Sequence, residues 1–244
     1  MKKFTILAIL ALMLTAGAIA QSMNDKPTTV VETMYMLPKR GMEDKLEAAI
    51  KAHDMKFHPD GQYQAGLRKV EYGDKAGWYV WVFGPTTYAS IDSRPKKEGG
   101  HDADWTTTVE PLIDQYGTTN LWEFNPDLSY GYEMIKKSNY YETWAVKVKT
   151  GQMYRFRAIA EKLKKVFEAA GNRGFVIFNN PLHTAESADV VILWTFNSFD
   201  DWSKDWGTKT AFEKMYGDGS WQHMLDDWND IVKDYNAELR SIVK

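Results

Sequence analysis

The chain has 244 residues, with 30 Lys and Arg against 33 Asp and Glu, for a net charge of −3. A mildly acidic protein without a basic stripe is not built to hold nucleic acid. Zero cysteines exclude disulfides, thiolate nucleophiles and cysteine-ligated metal.

In chain order, the first segment is MKKFTILAILALMLTAGAIAQS. Lys2 and Lys3 precede an apolar run from Phe4 to Leu14, and Ala18-Ile19-Ala20 is a small-x-small cleavage site. That is the grammar of a signal peptide over residues 1–20, too short and wrongly flanked for a stable membrane span. Its end has no cysteine to take a lipid. The mature chain is expected to start at Gln21 and to be periplasmic or secreted. No second apolar run approaches the ~20 residues needed to cross a bilayer.

Val30 to Leu37 reads as a strand and Met42 to His58 as a helix. Tyr63 to Tyr72 and Trp78 to Phe83 read as strands joined around Gly73-Asp74, followed by a helical turn from Thr86 to Asp92. A glycine-rich loop, KKEGGHDAD, leads to a helix expected from about Asp104 to Tyr116 and distorted by Pro111. Thr119 to Phe124 is the next strand. After the stretch FNPDLSYGYEMIKKSN the order recurs. Strands are expected at Tyr141–Lys149, Gly174–Phe178, Val190–Phe196 and Glu238–Val243. Helices are expected at Met153–Ala170, near Phe199–Trp206, and at Ser220–Lys233.

The recurrence is visible in the residues. ETMYMLPKRGMEDKL from Glu32 and ETWAVKVKTGQMYRF from Glu142 align at Glu-Thr and at Gly41 and Gly151. YVWVFGPTTYASI from Tyr79 matches ILWTFNSFDDW from Ile192, with Trp81 against Trp194 and Phe83 against Phe196. The chain thus divides into a signal peptide (1–20), a first repeat (28–125), a linker (126–139) and a second repeat (140–244). Each repeat has the β-α-β-β-α-β order of a ferredoxin-like unit. Runs such as VVILW and WYVWVF are apolar on both faces, which an open sheet with one solvated face would not require. The fold class is therefore α+β, with two antiparallel sheets packed face to face inside one chain.

This arrangement resembles the dimeric α+β barrel superfamily, fused in tandem, which includes antibiotic-biosynthesis-monooxygenase-like and NIPSNAP-like domains. The resemblance rests on element order and on the repeat, and covers about residues 28–125 and 140–243. It implies a pseudo-dimeric barrel closed within a monomer. It does not choose a function, because the superfamily spans cofactor-independent monooxygenases, haem-degrading enzymes and isomerases.

His53 is the candidate catalytic residue. On a helical wheel it falls near the centre of the apolar arc of Met42, Leu46, Ala49, Ile50 and Phe57. In the second repeat Leu163 takes its place, so the fold itself does not require imidazole there. A neutral imidazole aimed at the sheet can orient, deprotonate or ligate a small molecule. Phe57, Tyr79, Trp81 and Glu32 are the candidate ligand-binding neighbours. Glu32 and Glu142, on otherwise apolar strand faces, are also explained by strand-end salt bridges.

Asp54 and His58 fall toward solvent on the same wheel. His53 and His58, five residues apart, are poorly placed to share a metal. The loop Gly99–Trp105 carries His101, Asp102 and Asp104; a cation site there is conceivable, and helix capping by Asp explains the same residues. His183 and His223 are expected at the surface. There is no phosphate loop, no HExxH and no nucleophile elbow.

No cofactor and no metal are assigned. The reading is an exported protein that binds or transforms a small, partly apolar molecule in a helix–sheet pocket of the first repeat. A non-enzymatic exported scaffold is the alternative, and haem binding through a histidine is a weaker one.

Overall fold

In the computed structural model, residues 27–94 and 98–244 are described. The signal-peptide segment lies outside them. The first repeat contributes β1 (Thr29–Pro38), α1 (Glu43–Phe57), β2 (Ala65–Tyr72), β3 (Tyr79–Thr87) and the short α2 (Tyr88–Asp92). It continues into α3 (His101–Asp104), which passes through a π-turn (Trp105–Val109) and a 3-10 turn (Glu110–Leu112) into β4 (Ile113–Phe124). The second repeat contributes β5 (Tyr140–Val148), α4 (Met153–Ala170), β6 (Phe175–Asn179) and β7 (Val190–Phe196). It ends with α5 (Phe199–Ser203), α6 (Thr208–Tyr216), α7 (Ser220–Ile231) and β8 (Val232–Ile242).

Four elements depart from the sequence reading. Strand β8 begins at Val232, not at Glu238, and the linker forms a 3-10 helix over Tyr132–Lys137. The helix expected to run to Tyr116 stops at Leu112, because Pro111 lacks the N–H that another α-turn needs. The freed residues extend β4 to twelve, so Tyr116 is a strand residue. The second repeat also has a helix, α6, where none was expected; it buries Phe212 against Tyr216 and Trp221.

All strand pairings are antiparallel, in the closed order β1-β3-β2-β8-β5-β7-β6-β4. Within each repeat the first and third strands are central. The repeats join twice, through β2–β8 and through β4–β6, each pairing the second strand of one repeat with the last of the other. The two sheets oppose one another across a shared core, and their edges close them into one barrel. Closure removes the exposed edges that an open sheet would offer for aggregation.

Alternation along the strands separates inside from outside. Val31, Trp122, Tyr141, Val176, Phe178 and Leu193 face into the barrel. Their sequence neighbours face out, beneath the helices. Met36, Tyr79, Trp81 and Phe83 meet Leu46 and Ile50 of α1. Phe175, Ile177 and Ile192 meet Phe156, Ile159 and Phe167 of α4, with Trp194 packed against them. Trp81 and Trp194 therefore point to the two helical layers, and Val82 and Leu193 supply the interior. This two-sided burial is why the strands read as continuous apolar runs.

Candidate functional site

Helix α1 buries Leu46, Ile50 and His53, at the i, i+4, i+7 spacing of an amphipathic face. His53 is 1% exposed. The helix ends at Phe57, and His58 is its C-cap with non-helical φ −127 and ψ 50. A wheel assumes the helix continues; here it does not. His58 turns back under α1 and is buried, not solvent-facing as the wheel placed it. Its Nδ1 lies 2.9 Å from the carbonyl of Tyr63.

A third imidazole arrives from the other side. Gly99 and Gly100 both adopt left-handed φ (82° and 81°), which costs glycine little, and the chain swings into α3 at His101. The ring centroids are 5.4 Å apart for His53–His58, 4.9 Å for His53–His101 and 5.2 Å for His58–His101. One ring nitrogen from each lies within 4.8 Å of the other two. The five-residue spacing of His53 and His58 thus does not keep them apart, because it straddles a helix end.

The acidic residues of the glycine-rich loop do not cap α3, whose N-cap is Gly100 without a side-chain bond. Asp104 instead takes a hydrogen bond from His53 Nδ1 (2.9 Å) and an ion pair from Lys56 (3.1 Å). The bond to His53 holds the Asp104 carboxyl below its ordinary range. Asp102 sits 2.9 Å from His101 Nδ1. Burial lowers the pKa of His53, and pushes that of His58 down to about 4, so both rings are neutral near pH 7.

Of the neighbours named from sequence, Phe57 and Trp81 join the cluster. Phe57 is 4.9 Å from His53, and Trp81 stands edge-on to His58 at 5.1 Å. Trp105 completes the wall at 5.1 Å from His53. Asp54, expected in solvent, is half-buried and accepts the Trp81 indole N–H at 3.0 Å; burial raises its pKa to about 6. Tyr79 is not brought to the histidines: its hydroxyl donates to Glu47. Glu32 pairs with Arg94 at 2.9 Å, the salt bridge that its strand-end position suggested. His183 and His223 are exposed. A groove of about 330 Å³ runs along α1 past Asp54 and His58 to Leu67 and Ala65.

On the opposite face of the same strands, the barrel encloses a larger cavity of about 590 Å³. Val31, Val82, Trp122, Phe178 and Leu193 form its apolar wall. Its polar side is a closed network. Arg240 donates to Glu238 at 2.6 Å and to the Tyr35 hydroxyl, which donates to Glu238 at 2.8 Å. Burial raises the Tyr35 pKa, with Glu238 adding to it. Burial alone would lower Arg240, and Tyr35 and Glu238 more than offset it. Tyr132, also on the wall, is pushed up to about 12 by burial.

Haem held through a histidine does not fit these residues. Among the described residues the cavity wall carries no histidine, and the faces of His53 are occupied by Phe57, His58, His101 and Trp105.

The fold is the dimeric α+β barrel, closed here within one chain. No protein-family model matches the sequence, and no curated protein matches it. Solved structures do. One is a "putative monooxygenase" from Fusobacterium nucleatum, with TM-score 0.58 and 10% identity, covering 90% of this chain and 94% of that one. Another is an anthrone oxidase-like protein, with TM-score 0.53 and 11% identity over 90% of this chain and 93% of that one. A third is a mutant chlorite dismutase from Candidatus Nitrospira defluvii, with TM-score 0.53 and 9% identity over 89% of this chain and 94% of that one. Identities this low establish shared architecture.

Proposed function

We propose that this chain is an exported protein whose barrel takes up a small, partly apolar molecule, to bind or transform it. The observation that carries this is the interior cavity. Its volume of about 590 Å³ falls within the ~300–1,000 Å³ of small-molecule sites. Its lining has the composition such sites use: an apolar wall with a few convergent polar groups. A ligand there has Trp122 and Phe178 to stack on, and Tyr35, Thr143 and Arg240 to orient it. The monooxygenase and oxidase descriptions of proteins with this architecture support a small-molecule role. The signal-peptide grammar of residues 1–20 supports export.

The site differs from the helix–sheet pocket expected beside His53, where aromatic rings fill the space. Native mass spectrometry of protein recovered from its source should reveal a bound small molecule. Val191 faces the cavity, so Val191→Trp should fill it, leave the fold intact and abolish retention. Equal retention by this variant, or none by the wild type, refutes the reading. N-terminal sequencing of exported protein should begin at Gln21; Met1 in that material refutes export with cleavage.

A further inference from the structure

We propose that His53, His58 and His101 form a three-imidazole site for one divalent transition-metal ion, with a coordination position left open toward the groove along α1. The site is separate from the barrel cavity, on the other face of the sheet.

The first observation is convergence. His58 Nε2 and His101 Nε2 are 3.1 Å apart. Two imidazoles on a tetrahedral Zn²⁺, with Zn–N of about 2.0–2.1 Å, put their nitrogens ~3.3 Å apart. The third histidine brings a ring nitrogen within 4.8 Å of both.

The second observation fixes the tautomers. Each Nδ1 faces a group that can only accept: the Asp104 carboxylate for His53, the Tyr63 carbonyl for His58 and the Asp102 carboxylate for His101, each at 2.9 Å. A carbonyl or an ionised carboxylate has no proton to give. A ring that donates from Nδ1 to such an acceptor turns its Nε2 lone pair outward, as metal-bound histidines do. His58 Nε2 and His101 Nε2 face each other at 3.1 Å. His53 Nε2 is buried and has no hydrogen-bond partner. A single cation among the three rings accepts the facing nitrogens and the orphaned one.

The third observation is the outer layer. Metal-bound histidines characteristically donate their other N–H to a carboxylate or backbone carbonyl, which sets ring orientation and raises ligand basicity. All three rings do so here. The anchors come from two places, Asp102 and Asp104 of α3 and Tyr63 in the segment before β2, one for each ring.

Chemistry narrows the ion. The chain has no cysteine, and imidazole suits Zn²⁺, Cu²⁺, Ni²⁺, Co²⁺ or Fe²⁺ over Mg²⁺ or Ca²⁺. Among the described residues no fourth His, Asp or Glu joins the cluster. Three protein ligands with a vacant fourth position is the composition of reactive zinc sites, whereas structural sites supply all four. His58 lines the groove past α1, so the ligand completing the shell is water or a small molecule bearing an oxygen or nitrogen donor. The second repeat offers Leu163 in place of His53, and its histidines are exposed. One metal per chain follows.

The test uses untagged mature protein, since an oligohistidine tag would bind metal itself. After chelator dialysis, Zn²⁺ is titrated in competition with a chromophoric chelator, and Co²⁺ is added separately as a spectroscopic probe. The expected result is one Zn²⁺ per chain with Kd below about a micromolar, and visible d–d bands of tetrahedral Co²⁺. His53→Leu copies the second repeat and should stay folded by thermal melting. It, His58→Ala and His101→Ala should each weaken Zn²⁺ binding by more than the ~10–100-fold that outer-shell partners are worth. Asp104→Asn keeps every ligand and should lose about 10–100-fold while retaining the Co²⁺ spectrum. Absence of stoichiometric binding by the wild type overturns the proposal. So does unchanged affinity in the histidine variants that remain folded, which would assign the metal to the surface His183 or His223.

Discussion

Glu238→Leu probes whether the charged network in the barrel wall holds the two repeats together. Glu238 and Arg240 lie on β8 of the second repeat, and Tyr35 lies on β1 of the first. The side chains of Glu238 and Arg240 are 5% and 12% exposed. Removing the carboxylate leaves the guanidinium charge and the Tyr35 hydroxyl without their acceptor. Breaking a buried pair from one side costs about 3–5 kcal/mol, and the lower end, near 3, applies because both side chains border the cavity. Domains of this size lose roughly 2–4 °C of Tm per kcal/mol, so melting by circular dichroism should fall by about 6–12 °C. The triple variant with Arg240→Met and Tyr35→Phe removes the stranded charge and hydroxyl as well, and should recover most of the loss. A single-variant cost below about 1 kcal/mol, or a triple variant less stable than the single, would show that the network behaves as a solvated surface pair.

The second repeat should be sensitive to cavity formation. Phe175 is fully buried and stacked on Phe167 at 4.9 Å, so Phe175→Ala should cost about 3–5 kcal/mol in urea unfolding. Gly174→Ala should cost about 1–3 kcal/mol, because its Cβ would lie 2.9 Å from the Gly131 carbonyl and 3.1 Å from Thr195 Oγ1. A melt indistinguishable from wild type would mean the backbone there gives way freely. His53→Leu in metal-free protein should hold or raise stability, since it removes a buried nitrogen without a partner at a site whose unsatisfied group costs about 1–3 kcal/mol. A loss of about 1 kcal/mol or more contradicts the reading of His53 as unneeded by the fold. Alkaline titration tests Tyr132. Burial lifts its folded pKa to about 12, above the ordinary tyrosine value of 10.0, so the folded state binds more protons between these values. Stability present below pH 10 should drain away as pH rises toward 12, by about 2 kcal/mol for this residue. Tyr132→Phe should unfold at higher pH, and an unchanged alkaline midpoint would count against it.

The repeat was legible because strand and helix periodicities survive where identity does not. Trp81 and Trp194 marked equivalent positions of the two repeats, and Met153–Ala170 was marked by its own apolar period. Barrel closure was less visible, since β2–β8 and β4–β6 join strands far apart in the chain and leave no local pattern. At the site, His53 could be read because it stands on a regular helix. His58 and His101 could not, for opposite reasons. A wheel carried one residue past its domain of validity assigns His58 to solvent, while His101 depends on two left-handed glycines that set its direction from outside any periodic element. The Asp-rich loop carried the right residues with the wrong role. Carboxylates near a helix start look like caps until the tertiary partner, here an imidazole from α1, is in place. The pair Glu238 and Arg240, two apart on β8, has the alternation of a strand edge and gave no sign that its polar face turned inward.

Fusing the halves has a consequence for what each may become. A barrel assembled from two identical chains must repeat every substitution across its dyad. A histidine placed under one helix appears under both, and a layer sealed with phenylalanine is sealed twice. In this chain the covalent link releases that constraint. One helical layer keeps Phe156, Phe167, Phe175 and Trp194 in dense contact. Its counterpart accommodates three imidazoles, two carboxylates and an unsatisfied nitrogen. The molecule is a duplicated architecture with unequal halves, one free to be inert ballast while the other carries polar groups that an obligate homodimer would have to tolerate in duplicate.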